Sequence, residues 1–251
     1  MPSAYRRFLS IFEKKLQMAK LYLIPTTLGD TSIERVLPPD LTKVINSVTV
    51  FIVENLRTAR RFLKKVNPDI VIDDLTFFEL NQHTDPKELS RFLEPNRRGL
   101  DIGIISEAGC PGVADPGADV VKIAHTRNIQ VVPLVGPSSI LLALMASGMS
   151  GQNFAFNGYL PIKNPEKAMQ IKMLEHRMQT EGQTQIFIEA PYRNAQLLDN
   201  LLKNCDPLTL LCIAVDITMD TEFILCKPMS WWKNNIPEIQ KRPAIFMIGK
   251  V

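Results

Sequence analysis

The chain has 251 residues, of which 45% are hydrophobic and 22% charged, and its formal net charge is +3. This composition is typical of a globular protein with one large domain or two smaller ones. The mild positive charge permits a polyanionic partner but does not require one. Four cysteines without CxxC spacing and three separated histidines argue against a metal site and favour reduced thiols in the cytoplasm. No apolar run is long enough to span a membrane.

The first nineteen residues form a separate N-terminal extension in this interpretation. The segment MPSAYRRFLSIFEKKLQ is short, basic and amphipathic. Glu13, Lys14 and Lys15 interrupt the apolar run that a secretory signal would need. We therefore expect a frayed extension or a helix docked on the surface, with Met18 as an alternative start site.

Strands and helices alternate through the first half of the chain. Short β-branched or apolar runs predict strands, and apolar residues at helical spacing predict helices. In chain order the elements are strand 21–24, strand 48–53, helix 56–66, strand 76–80, helix 87–93, strand 102–105, helix 118–127, strand 130–134 and helix 138–146. This βαβα order predicts a mostly parallel sheet covered by helices.

The second half begins after the sequence SGMSGQN at 147–153, which has the composition of a linker. Beyond it the predicted strands lie closer together. They are strands 154–159, 185–189, 208–215, 222–226 and 244–248, with helices at 165–179 and 193–202. We therefore predict an N-terminal α/β domain at 20–150 and a C-terminal α/β domain at 151–251, the second with a mixed sheet.

The segment GIISEAGCPGVADPGADVV at 103–121 is a strand, a long Gly/Pro loop and a helix. In α/β proteins such a loop lies beyond the carboxyl end of a strand, where ligands bind. Its GVADPG stretch has the glycine spacing of a P-loop, but Ala118 and Asp119 replace the Lys and Ser/Thr that hold phosphate and Mg²⁺. The acidic residues Glu107, Asp115 and Asp119 favour a cationic ligand, such as a sulfonium cofactor.

Five motifs occur in the order known from one protein family: LYLIPTTLGD, ISEAGCPGVADPG, VVPLVGPSSILLALMASG, FAFNGYLP and FIEAPYR. They resemble the tetrapyrrole methylase superfamily of S-adenosylmethionine-dependent methyltransferases, over roughly residues 20–250. The resemblance is closest to the ribosomal branch, which methylates a ribose 2′-hydroxyl of small-subunit rRNA. It implies a cofactor cleft between two α/β domains, rRNA or the small ribosomal subunit as partner, and a homodimer.

The resemblance assigns three segments to the cofactor. Residues 25–29 form the floor of the site, residues 106–111 run along the cofactor, and residues 137–139 begin a helix whose free N–H groups suit its carboxylate. The predicted cofactor-binding residues are Pro25, Gly29, Ser106, Glu107, Ala108, Gly109, Pro137, Ser138 and Ser139.

The predicted catalytic residues are Glu54, Arg57, Glu189 and Arg193. Methyl transfer to a hydroxyl needs in-line placement and an acceptor for the proton. Glu54 ends a buried strand and is the candidate base or substrate orienter; alternatively it caps the next helix or pairs with Arg57. Glu189 and Arg193 either position the substrate or form an interdomain salt bridge.

The sequence departs from the ribosomal branch at several motifs. It has VENLR where that branch has AEDTR, SEAGCP where it has SDAGTP, and Met219 where a Lys is expected. The branch usually has a C-terminal helical extension, and this sequence ends just after its last strand.

Three hypotheses remain: an rRNA methyltransferase, a methyltransferase of a small molecule such as a tetrapyrrole, and a non-catalytic cofactor-binding homologue. The basic stretch RTARRFLKK at 57–65 either contacts rRNA phosphates or is a solvated helix face.

Overall fold

The computed structural model of the protein describes residues 19–81, 83–85 and 87–250. The predicted N-terminal extension therefore lies outside the described residues, except for Ala19. The chain forms two compact units: the first takes the residues up to Thr27 and Ser32–Pro137, and the second takes Leu28–Thr31 and the residues from Ser138 onward.

The first unit contains a parallel sheet with the strand order β3-β2-β4-β1-β5 in its described part. Alternate residues of the central strands face opposite sides of the sheet, and each side has its own apolar cluster. The strands are β1 (Lys20–Ile24), β2 (Val50–Val53), β3 (Thr76–Glu79), β4 (Ile102–Ile105) and β5 (Gln130–Pro133). The helices are α1 (Ile33–Val36), α2 (Asp40–Ser47), α3 (Leu56–Val66), α4 (Leu89–Phe92), α5 (Glu94–Arg97) and α6 (Gly117–Thr126), with a 3₁₀ turn at Ile72–Asp74.

The second unit contains a mixed sheet with the order β6-β7-β10-β8-β9, in which only the β6–β7 pair is parallel among the described strands. Its strands are β6 (Phe154–Tyr159), β7 (Thr184–Ile188), β8 (Leu210–Val215), β9 (Phe223–Pro228) and β10 (Ala244–Gly249). Its helices are α7 (Ser139–Ser147), α8 (Asn164–Glu181), α9 (Asn194–Asn204) and α10 (Met229–Trp232), with a 3₁₀ turn at Pro191–Arg193.

The predicted fold class, two α/β domains with a parallel and a mixed sheet, is confirmed. The sequence pattern predicts the helix at 138–146 in the first domain, whereas α7 belongs to the second unit. The reason is packing, because Ala143, Leu144 and Met149 share an apolar cluster with Ile186 and Met247 of the second sheet. None of the helices among the described residues has the length and apolarity needed to cross a bilayer.

Candidate functional site

The register of the first sheet brings three predicted site residues to one edge. Ile24 of β1 and Val53 of β2 both pair with Ile105 of β4. Because these strands are parallel, the residues that follow them leave the sheet at the same carboxyl edge. Those residues are Pro25, Glu54 and Ser106. Ligands of open α/β sheets bind at this kind of edge.

The loop after β4 is held by its own backbone and by one carboxylate. Gly109 and Gly112 have φ of 71° and 82°, and Ala114 adopts a φ of 62°, which is uncommon for a residue with a Cβ. The Asp115 Oδ1 atom accepts hydrogen bonds from the N–H groups of Gly112 at 2.8 Å and Gly117 at 2.7 Å. The carboxylate therefore binds the first N–H of α6 and closes the loop.

This loop is also tied to the residues that follow β1. The Thr26 N–H donates to the Gly109 carbonyl at 3.0 Å. A Cβ on Gly136 would lie 2.3 Å from Pro25 Cβ, so only glycine allows this approach between the residues after β5 and those after β1. Thr26 lies within the segment 25–29 that the resemblance assigned to the floor of the site, although it was not named as a binding residue. Gly136 was not predicted, and the available signal was its position directly before the segment 137–139.

Glu54 contacts the loop directly. Its Oε2 accepts a hydrogen bond from the Glu107 N–H at 3.3 Å, and the Glu107 carboxylate accepts one from the Thr58 hydroxyl. The two alternative roles of Glu54, as the cap of the next helix and as the partner of Arg57, are not observed among the described residues. Asn55, rather than Glu54, caps α3 through the N–H groups of Arg57 and Thr58, and no salt bridge joins Glu54 to Arg57 in the described part of the chain.

The electrostatic surroundings of Glu54 favour its protonated form. Burial raises the pKa of Glu54, and the negative charges of Glu107 and Asp115 raise it further, against the opposing hydrogen bond from the Glu107 N–H. Burial likewise raises the pKa of Asp115, although two backbone N–H groups oppose that shift. A carboxyl group with a raised pKa is a stronger proton acceptor, which is the property a general base needs.

The residues at this edge fit a compact cationic ligand with polar groups. Thr26 is 4% exposed and Ser106 is 9% exposed, and within the described residues neither hydroxyl has a hydrogen-bond partner. A buried hydroxyl without a partner is disfavoured, so both are available to a ligand. The acidic side chains of Glu54, Glu107 and Asp115 supply negative charge nearby. S-Adenosylmethionine, with a sulfonium centre and many polar atoms, meets these requirements.

The segment after β5 approaches the loop through Cys110. The Cys110 thiol donates to the Pro137 carbonyl, with sulfur and oxygen 3.4 Å apart. Burial raises the pKa of this thiol, which makes the group a packing and hydrogen-bonding element rather than a nucleophile. Ser138 is the N-cap of α7, and its Oγ accepts from the Leu141 N–H at 3.5 Å, while Ser139 is the first residue of that helix.

Five predicted site residues, Gly29, Ser138, Ser139, Glu189 and Arg193, belong to the second unit. A Cβ on Gly29 would lie 1.9 Å from the Met219 methyl carbon, so the residue that replaces the expected Lys packs on this glycine. Their roles in binding or catalysis stay predictions.

Glu189 and Arg193 form an ion pair, which was the alternative to substrate positioning. The pair lies within the second unit, so the predicted interdomain bridge is wrong. The Glu189 Oε1 atom lies 2.7 Å from an Arg193 nitrogen, and its Oε2 atom lies 3.1 Å from Lys167 Nζ. Burial alone would raise the pKa of Glu189, but hydrogen bonds from the Ala190 N–H, Arg193 and Lys167 hold it below its ordinary value.

These features define an α/β protein with a ligand site at the carboxyl edge of its parallel sheet. The family described as Tetrapyrrole (Corrin/Porphyrin) Methylases matches residues 20–229 of this chain. The chain belongs to this family, which confirms the predicted class, an enzyme that transfers a methyl group from S-adenosylmethionine.

The chain is similar to two proteins named Ribosomal RNA small subunit methyltransferase I. The one from Vibrio cholerae is 31% identical over 214 residues, which are 84% of this chain and 69% of that protein. The one from Buchnera aphidicola subsp. Schizaphis graminum is 27% identical over 236 residues, 91% of this chain and 77% of that protein. The predicted closeness to the ribosomal branch is therefore confirmed.

Solved structures share the fold at lower identity. The methyltransferase CobJ aligns with a TM-score of 0.63 at 17% identity, over 93% of this chain and 95% of that one. Uroporphyrin-III C-methyl transferase from Thermus thermophilus, in complex with S-adenyl homocysteine, aligns with a TM-score of 0.57 at 16% identity, over 92% of this chain and 98% of that one.

Proposed function

We propose that this protein transfers the methyl group of S-adenosylmethionine to a ribose 2′-hydroxyl of small-subunit rRNA. The observation that carries the choice of acceptor is the similarity to the rRNA methyltransferases over most of the chain. The acidic edge with its two unpaired hydroxyls supports the choice of cofactor.

Different residues of the first unit have different roles in the proposed reaction. S-Adenosylmethionine supplies an activated methyl group when bound. The Thr26 and Ser106 hydroxyls would form hydrogen bonds with its polar atoms, and Glu107 and Asp115 would favour its positive charge. Glu54 accepts the proton that the ribose hydroxyl loses as its oxygen takes the methyl group. Placement of the two reactants supplies the rest of the acceleration.

The basic helix α3 supports an RNA substrate. Arg57 and Arg61 are exposed, and their side chains make no hydrogen bond or salt bridge within the residues that the structure describes. The Arg60 guanidinium lies 5.4 Å from the centre of the Phe77 ring, which holds this charge in place. Free and preplaced arginines at a helix surface can bind phosphate groups.

Reversing the charge of Arg60 and Arg61 to Glu is expected to reduce methylation of ribosomal particles and leave cofactor affinity unchanged. The salt dependence should flatten by about one unit of slope for each phosphate that the protein no longer neutralises. Activity on particles is measured across a salt series, and cofactor affinity by calorimetry. A matched control is the double reversal of the exposed Arg98 and Lys122, which lie outside α3. Equal losses in both double variants would contradict the proposal for α3.

Labelled methyl transfer tests the proposed activity itself. The purified protein should bind S-adenosylmethionine in a calorimeter and label small ribosomal subunits from a strain that lacks this modification. Mass spectrometry of the rRNA should place the new methyl group on a ribose. Labelling of a small-molecule pool without labelling of particles would favour a tetrapyrrole-like acceptor, and cofactor binding without any transfer would favour a non-catalytic homologue.

We also propose that the protein works in the cytoplasm as a homodimer. The four cysteines are free thiols, in agreement with a reducing compartment. Helix α7 carries no charged residue, and it exposes Leu141 at 51% and Met145 at 78%. Exposed apolar side chains of this kind commonly mark a protein interface.

Analytical sedimentation should give a mass of twice the 28.3 kDa of one chain. The substitution Met145→Glu should shift the protein to the monomer, because it places a charge on this apolar surface. A monomeric unaltered protein would contradict the proposed homodimer.

A further inference from the structure

A small cavity lies at the carboxyl ends of β2 and β4. Its volume is about 10 Å³, and its polar lining comes from Glu54, Ser106 and Asp115. Apolar side chains, among them Ile52, Leu80 and Ile104, complete its wall. A polar cavity of this size is at the lower limit for a single water molecule.

Two of the three polar side chains present a buried oxygen that has no partner in the described part of the chain. Ser106 is nine-tenths buried, and its Oγ makes no hydrogen bond. Asp115 uses Oδ1 for the two backbone N–H groups of its loop, and its buried Oδ2 has no partner. Buried oxygens of this kind are disfavoured unless a ligand or water pairs with them.

We propose that this cavity binds one water molecule, which donates to Asp115 Oδ2 and to the Glu54 carboxylate and accepts from the Ser106 hydroxyl. Asp115 is then a positioning residue for Glu54, because it acts on Glu54 through the water. The two carboxyl groups hold one proton between them over a pH range in which separate carboxyl groups would both be ionised. The consequence for methyl transfer rests on the proposed role of Glu54 as proton acceptor.

The other groups around Glu54 do not supply this coupling. On the β4 side Glu107 contributes a backbone N–H and a repelling charge. On the α3 side Arg57 makes no salt bridge with Glu54 within the described residues. On the β3 side the Glu79 carboxylate accepts from Asn81 Nδ2 at 3.4 Å. No three His, Cys, Asp or Glu side chains in the described ranges are arranged to hold a metal ion, so water is the occupant that fits.

Asp115→Asn removes the charge while an amide oxygen still accepts from Gly112 and Gly117. Without that charge Glu54 loses its proton more readily. The acid limb of the pH–rate profile is therefore expected to shift to lower pH, with a lower maximal rate because Glu54 becomes a weaker base. Asp119→Asn is the matched control, since Asp119 is exposed on the first turn of α6 and does not line the cavity.

A second readout needs neither substrate nor cofactor. The Glu54 carboxyl carbon, labelled with ¹³C and assigned with Glu54→Gln, is titrated by NMR in the unliganded protein. Its midpoint should move to lower pH in Asp115→Asn and stay in place in Asp119→Asn. An unmoved midpoint in Asp115→Asn would overturn the inference even where methyl transfer is intact. A protein that methylates nothing but shows the shift would overturn only the proposed function.

A crystal structure of the unaltered protein decides the matter if Asp115→Asn does not fold. Density for one water within hydrogen-bond distance of Glu54, Ser106 and Asp115 is the expected result. An empty cavity at a resolution where other buried waters are visible would overturn the proposal.

Discussion

Glu54→Gln is expected to lower the rate of methyl transfer by about 10²- to 10⁴-fold and, at neutral pH, to raise the melting temperature. The rate falls because an amide cannot accept the hydroxyl proton. The fold is kept because the Gln Oε1 atom can still accept from the Glu107 N–H, as the Glu54 carboxylate does at 3.3 Å.

The gain in stability follows from the direction of the pKa shift. Folding raises the pKa of Glu54, chiefly through burial, so the folded state binds this proton more tightly than the unfolded chain. That stabilisation is complete below the unfolded pKa, about 4.3, and is lost as the pH rises through the folded pKa. At neutral pH the ionised carboxylate opposes folding, and the uncharged Gln removes that opposition. In many enzymes, residues that are needed for activity lower the stability of the folded protein.

Single-turnover kinetics and thermal unfolding across pH measure the two effects. Glu79→Gln is the matched control, because it makes the same change at the end of the neighbouring strand β3. It should leave both quantities close to those of the unaltered protein. A Glu54→Gln enzyme with a near-normal rate would exclude Glu54 as proton acceptor. A lower melting temperature at neutral pH would show that the carboxylate stabilises the fold.

Local sequence signals predicted much of the fold. Strand Ile102–Ile105 and helix Leu56–Val66 have the predicted bounds, because a β-branched run between turn residues and a side-chain cap at Asn55 are local features. Four short helices were missed: Ile33–Val36, Asp40–Ser47, Glu94–Arg97 and Met229–Trp232. Ile33–Val36 and Met229–Trp232 have four residues each, too few for a helical period to be visible.

The sequence predicted only those residues of the candidate site that belong to recognisable motifs. Glu54 and Ser106 stand directly after strands, so their common edge followed from a parallel sheet. The two unpaired hydroxyls could not be predicted, because the absence of a partner depends on every neighbour in three dimensions. The assignment of α7 to the second unit depends likewise on which sheet its apolar face covers.

The burial of Lys167 also could not be predicted from local sequence. This residue lies in α8, a helix with many charged residues, yet it is completely buried. Its partner Glu189 is 22 residues away in sequence, so no helical spacing could reveal the pair. The exposed Lys172 on the same helix looks equivalent in the sequence.

Lys167→Met is expected to lower the free energy of unfolding of the second unit by about 3 kcal/mol. The Met side chain fills nearly the same space as the Lys stem, so little packing is lost. Glu189 is also completely buried at its side chain, and it would keep only Arg193 and the Ala190 N–H as partners. Removing one partner of a buried charge leaves that charge poorly compensated, which is the source of the loss.

Urea unfolding followed by tryptophan fluorescence measures the change in the free energy of unfolding of the second unit. Both tryptophans of the chain, Trp231 and Trp232, lie in the second unit. Lys172→Met is the matched control, since it makes the same substitution at an exposed position of α8 and should change stability by less than about 0.5 kcal/mol. Equal effects of the two substitutions would exclude the buried ion pair as the cause.

The pH dependence separates charge from packing. The hydrogen bonds and nearby cations lower the pKa of Glu189 in the folded protein, so this carboxylate stabilises the fold above its unfolded pKa, about 4.3. That contribution is lost as the pH falls through the folded pKa. Without Lys167 the folded pKa of Glu189 rises, so Lys167→Met should be most harmful at neutral pH and approach the unaltered protein in acid. A deficit that stays constant as the pH falls below the folded pKa of Glu189 would mean that Lys167 acts through packing alone.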